Sequence, residues 1–118
     1  MAGKLTNKFG NIIIDDSVIA TLSGIAAMEC YGLVGMATSS ATEGLVELLK
    51  REHLTKGVRV TSEENRVVIE LFIIVQFGIS ISVVSSNIIE RVKYTIENTT
   101  GLTVERININ VQGVRVQN

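Results

Sequence analysis

The spacing of apolar residues changes along the chain, and the changes mark out its elements. From Val67 to Phe77 every odd position is apolar (Val67, Ile69, Leu71, Ile73, Val75 and Phe77), the period of two expected of a β-strand with one face in a core. In ISVVSSNIIERVKYTIENTTG the period lengthens. Ile81, Val84, Ile88, Val92 and Ile96 form a stripe at helical spacing, while Glu90, Arg91, Lys93 and Glu97 lie off it, which predicts an amphipathic helix. In the closing stretch LTVERININVQGVRV the alternation returns. Ile107, Ile109 and Val111 face one way, and Arg106, Asn108, Asn110 and Gln112 face the other, with a bulge expected near Gly113.

The first half follows the same grammar. FGNIII (9–14) reads as a short strand of β-branched residues. Asp15 or Asp16 can cap the helix that follows, which runs to about Tyr31 with Ile19, Leu22, Ala26 and Cys30 at helical spacing and Ile25 beside them. LVGMA (33–37) is a second strand. Ser40 and Glu43 fit a capping box for a short helix over 43–52, with Leu45, Leu48 and Leu49 on one side, ending before Gly57. VRVTSEENRVVIELFIIVQF is a hairpin with SEEN as its turn. The predicted order is β-α-β-α-β-β-α-β. It makes a single α+β domain over residues 1–118, with helices packed on a mixed sheet.

The long strand breaks its own pattern on the second face. Its even positions are Val68, Glu70, Phe72, Ile74 and Gln76, and three of these five are apolar, whereas a face open to water should be polar. Two readings stay open. The 43–52 helix folds over this face, or Val68, Phe72 and Ile74 form an exposed patch that docks a partner or another copy of the chain.

Composition narrows the function classes. Eleven Lys and Arg balance twelve Asp and Glu for a net charge of −1, which gives no global pull toward nucleic acid or anionic lipid, so any such binding needs a local patch. The basic cluster Lys50, Arg51, Lys56 and Arg59, with His53 among them, is the local candidate for contact with an anionic surface. Its plainer role is a solvated helix end. One Cys and one His cannot assemble a zinc site, and no cofactor motif is present. The opening MAGKLTNKFGNIII lacks the layout of a signal peptide, and VVIELFIIV is too short to span a bilayer, so a cytoplasmic location is expected.

The stretch ECYGLVGMA raises two chemical possibilities, a reactive thiol and a phosphate-clamping G-x-x-G. A KH-type loop joins two helices, but this one joins a helix to a strand, its middle residues are apolar, and no Lys or Arg lies between Lys8 and Lys50. Gly32 is better read as a left-handed helix terminus, with Leu33 folding back on Met28. Gly101 and Leu102 repeat the arrangement against Ile96. Cys30 falls on the buried stripe and reads as a small core residue. Asp15 and Asp16, adjacent and pointing apart, read as caps rather than a catalytic pair. No nucleophile, base and orienter set is visible, and the expectation is that the chain is not an enzyme.

The pieces FGNIIIDDSVIATLSGIAAMECYGLVGMA, KGVRV and IELFIIVQFGISISVVSSNIIERVKYTIENTTGLTVERININVQGVRV, in that order, resemble the alkaline-shock, or general-stress, envelope protein family of Gram-positive bacteria. CYGLVGMA before a Leu-rich helix matches its compact subgroup. The resemblance implies a small α+β domain without established catalysis, linked to envelope stress or homeostasis. It also implies a cytoplasmic protein, peripheral on the inner face of the membrane. Implied partners are a small separate membrane anchor, a fatty-acid-kinase-like protein, or further copies of the chain. Longer members carry charged extensions that this sequence lacks, and a housekeeping role is expected of the compact form. The rival expectation is a small RNA-binding module with a KH-like or exposed-sheet surface. Against it, Phe72 and Phe77 sit in an apolar strand with no Lys or Arg beside them in sequence.

Overall fold

A computed structural model describes residues 2–30, 32–36 and 57–116. Among them the elements run β1 (Ala2–Asn7), β2 (Gly10–Asp15), α1 (Asp16–Met28), β3 (Leu33–Met36), β4 (Val58–Glu63), β5 (Arg66–Gln76), α2 (Ile81–Thr100) and β6 (Thr103–Arg115). The fold class is α+β, as expected. Strand β1 was not anticipated: it pairs antiparallel with β2 to make an N-terminal hairpin. The expected helix over 43–52 and its capping box lie outside the described residues.

Strand β5 organises the main sheet. It runs parallel to β6 along its whole length and antiparallel to β3 and β4. A strand has only two hydrogen-bonding edges. Because β6 occupies one edge completely, β3 and β4 share the other, end to end. β3 finishes at Met36 opposite Ile73, and β4 starts at Val58 opposite Leu71, so the two meet on either side of Phe72. The Phe72 amide donates to the Gly57 carbonyl at 2.9 Å, at the seam between them.

The odd residues of β5 form the floor of the core. Val67, Ile69, Leu71, Ile73 and Val75 are each buried, and they meet Ile19, Ala26 and Ala27 of α1 and Val84, Ile88, Val92 and Ile96 of α2. Burying a side chain of this size stabilises by about 1.5–3 kcal/mol relative to leaving it in water, so this layer dominates the fold's energetics. Phe77 does not join the face as predicted. The strand ends at Gln76, and Phe77 turns out at 69% exposure. Ile81, at the first turn of α2, is likewise exposed, while the rest of its predicted stripe is buried.

Helix α1 begins where its cap predicts. The Asp15 carboxylate accepts from the Ser17 amide at 3.0 Å and from the Ser17 hydroxyl, which holds its pKa below the ordinary value. Asp16 accepts from the buried Ser62 hydroxyl at 2.6 Å, which ties the start of α1 to β4. The helix stops at Met28, short of the predicted Tyr31, with Glu29 as its C-cap in right-handed geometry. Gly32 is therefore not the helix terminus. It does adopt φ +94°, but as the turn into β3, and a Cβ there would sit 3.0 Å from Val84 Cγ2. Gly101 fills the predicted role: it caps α2 at φ +82° and donates to the Glu97 carbonyl, and Leu102 behind it is buried. In β6 the predicted bulge appears where pairing skips Gln112 between Val111 and Gly113, and a second one skips Glu105.

Candidate interaction face

Both described helices pack on the odd face of β5, so the even face is the second surface of the sheet. Its centre is the stripe Val68, Phe72 and Ile74, each half-buried. The register fixes what surrounds it. On the β4 side Thr61 stands opposite Val68 and Arg59 opposite Glu70. On the β6 side Arg106, Asn108 and Asn110 stand opposite Val68, Glu70 and Phe72, and Gly113 stands opposite Ile74. The skip at Gln112 is what brings Gly113, with no side chain, beside Ile74. A strictly alternating strand would have placed a longer residue there. The result is an apolar pair, Phe72 and Ile74, with Val68 set apart by Glu70; polar side chains flank Val68, and glycines flank Ile74 on both sides, which leaves an apolar centre with a partly polar rim.

Phe72 has its own electrostatic setting. The Arg59 guanidinium lies 5.3 Å from the ring centroid, and its Nη1 is 3.3 Å from Glu70 Oε1. The sequence shows no Lys or Arg near Phe72, yet the antiparallel pairing of β4 delivers one. Proximity along the chain says nothing about proximity across a sheet. Arg59 is thus part of the sheet face rather than of a helix-end cluster. The other members of the predicted basic cluster, Lys50, Arg51 and Lys56, and His53 among them, lie outside the described residues. A stacked Arg beside an aromatic suits RNA as well as protein; here the Arg59 guanidinium is already paired with Glu70, and on the same face Arg66 stands opposite Glu63 and Arg106 opposite Val68.

The other chemically suggestive residues have structural employment. Cys30 is half-buried just past α1 and not fully in the core as predicted. Its Sγ lies 3.8 Å from the Ala26 carbonyl, and burial pushes the thiol pKa up, away from a reactive thiolate. It lines an open groove of about 450 Å³ with Glu29, Asn87, Glu90, Arg91 and Tyr94. Across that groove Arg91 clasps Glu29, with Nη2 at 2.6 Å and Nε at 3.1 Å from the same carboxylate oxygen, which links α1 to α2. Among the described residues no group of three His, Cys, Asp or Glu is placed to hold a metal ion, and no helix is long and apolar enough to cross a membrane.

Comparison with known proteins gives this geometry a context. Residues 4–116 match the profile of the family of alkaline shock protein 23, described as having a cell envelope-related function. The chain belongs to that family. Two similar relatives are uncharacterised proteins of Gram-positive bacteria. YloU of Bacillus subtilis is 45% identical over 119 residues, covering 100% of this chain and 99% of the relative. Spy1614 of Streptococcus pyogenes is 40% identical over 117 residues, covering 98% and 97%. A second Bacillus subtilis protein, YqhY, is 34% identical over 106 residues, covering 90% of this chain and 78% of its own length. No solved structure matches. The alkaline-shock family resemblance seen in the sequence thus holds over nearly the whole chain.

Proposed function

We propose that this alkaline-shock family member is a non-catalytic interaction domain. Its even sheet face, centred on Phe72, docks a protein at the cytoplasmic side of the cell membrane. The observation that carries the reading is the half-buried stripe Val68, Phe72 and Ile74, on the face of β5 opposite the one where α1 and α2 pack. Phe72 and Ile74, neighbours on this face, with Val68 beyond Glu70, are what a partner's apolar residues would cover. The family's envelope-related role supports a partner resident at the membrane; the small anchor protein and the fatty-acid-kinase-like protein that the sequence resemblance implies are the partners we propose. A second copy of the chain is the other partner class that fits.

The experiment is site-specific crosslinking in cells. A photo-reactive amino acid at Ile74 should give a discrete covalent adduct with a protein. The same group at Lys93, exposed on α2, should not. The mass of the adduct identifies the partner class, with twice the chain's mass indicating self-association. If neither position, or both equally, gives adducts, the face is not a specific docking surface.

A further inference from the structure

We propose that the distal end of the β1–β2 hairpin is a second site, one that inserts into the headgroup region of an anionic lipid bilayer. The hairpin has two halves with different fates. Its base is bolted to the core. Gly3 lies so close to Leu102 that a Cβ would come within 2.6 Å of Leu102 Cδ1, and the Lys4 amide donates to the Glu64 carbonyl at 2.8 Å. Leu5 and Ile14 pack against the same core. Beyond that base the hairpin projects into solvent, held by its own pairing and by Asn7, whose side chain accepts from the Phe9 amide at 2.8 Å.

From its base rungs to its turn, the hairpin exposes what a soluble surface normally avoids. Phe9 in the two-residue turn is 89% exposed, Ile13 is 69% exposed and Ile12 is 52% exposed. A hairpin lying on a core should be apolar on one face only. Here Ile12, paired with Leu5, lies on the core-side face, and Ile13, paired with Lys4, lies on the other. Each face therefore exposes an isoleucine on the rungs that adjoin the base, below the polar pair Thr6 and Asn11 and the turn that carries Phe9, so a single flat protein surface could cover only one of them. A medium that surrounds the hairpin down to those rungs covers both, together with Phe9.

Charge selects the medium. Residues 2–14 contain Lys4 and Lys8 and no acidic residue, in a chain whose net charge is −1. Glu64 and Asn65 flank Lys4 across a shallow groove, whereas the Lys8 ammonium lies 5.3 Å from the Phe9 ring. An aromatic ring that enters the headgroup layer with a lysine beside it is a common interfacial pairing. The ring loses its contact with water while the ammonium reaches up to lipid phosphate. The rigid base supplies leverage, because the wedge is presented already formed and ordering it adds little entropic penalty.

The test uses the whole chain and vesicles of phosphatidylcholine with or without phosphatidylglycerol. The chain should co-sediment with the anionic vesicles at low salt, less so as salt rises, and not with phosphatidylcholine alone. Lys8→Gln should weaken binding about fivefold. Phe9→Asp should weaken it by roughly ten- to a hundredfold, with an unchanged circular dichroism spectrum because the ring makes no core contact. The chain has no tryptophan, so Phe9→Trp supplies a single reporter whose emission should move to the blue on adding anionic vesicles. Three results would overturn the proposal: no co-sedimentation of the wild type, binding that Phe9→Asp and Lys8→Gln leave unchanged, or a blue shift that follows protein concentration without lipid, which would mark the tip as a contact between copies.

Discussion

At the scale of single residues, two positions carry opposite lessons about small side chains in tight places. Ser23 is fully buried in α1, and its hydroxyl has no hydrogen-bond partner among the described residues. A buried unsatisfied hydroxyl is a net liability, so Ser23→Ala should stabilise the fold by about 1 kcal/mol, read as a raised midpoint in urea with an unchanged slope. Gly32 is the converse. Its φ of +94° is one that L-residues rarely adopt, and the missing Cβ leaves room for Val84 Cγ2 at 3.0 Å. Gly32→Ala should lower stability by roughly 2 kcal/mol, because backbone strain and overpacking add. The same urea titration checks it. The sequence identified Gly32 as a position needing a left-handed backbone but gave it the wrong job. The helix stops at Glu29, and nothing in ECYG distinguishes a helix cap from a turn three residues later.

At the scale of elements, the start of α1 is held by carboxylates, and one of them makes stability depend on pH. Hydrogen bonds from Ser17 depress the Asp15 pKa below its ordinary 3.8. A carboxyl group with a depressed pKa in the folded state contributes stability that is present above its unfolded pKa and lost as pH falls through the folded one. The stability advantage of the wild type over Asp15→Ala should therefore be full near neutral pH and shrink as the solution is acidified below about 4. Thermal unfolding of both chains across that range reads it. An advantage that is the same at every pH would mean that the cap acts through the shape of the turn rather than its charge.

The elements also show why some of the fold was legible and some not. β5 and α2 could be read because each buries one face, and burial enforces a period that the sequence must obey. Strand β1 could not, because AGKLTN offers a single large apolar residue, Leu5. Its pairing comes instead from β2 and from Gly3 fitting under Leu102. Phe77 continued the alternation of β5 by chance, since periodicity cannot mark where a strand leaves its sheet. The candidate face was half legible. The excess of apolar residues at even positions was plain in the sequence, but Arg59 over Phe72 depends on the register of β4, and Gly113 beside Ile74 depends on a skipped Gln112.

At the scale of the whole molecule, the sheet separates folding from function by face. The odd side of β5, covered by α1 and α2, holds the fold together. The even side, with Phe72 at the seam where β3 and β4 meet, is the side proposed to dock a partner. This division predicts that a charge on the even face is tolerated by the fold, whereas on the odd face it would be a buried unpaired charge. Phe72→Asp is the decisive variant, used beside the wild type as bait in capture from membrane and cytosolic fractions, with circular dichroism on the purified chain. The account predicts a Phe72→Asp chain with the wild-type spectrum that no longer retains the partner the wild type retains. A Phe72→Asp chain that is unfolded, or one that is folded and retains the same partner, would contradict it.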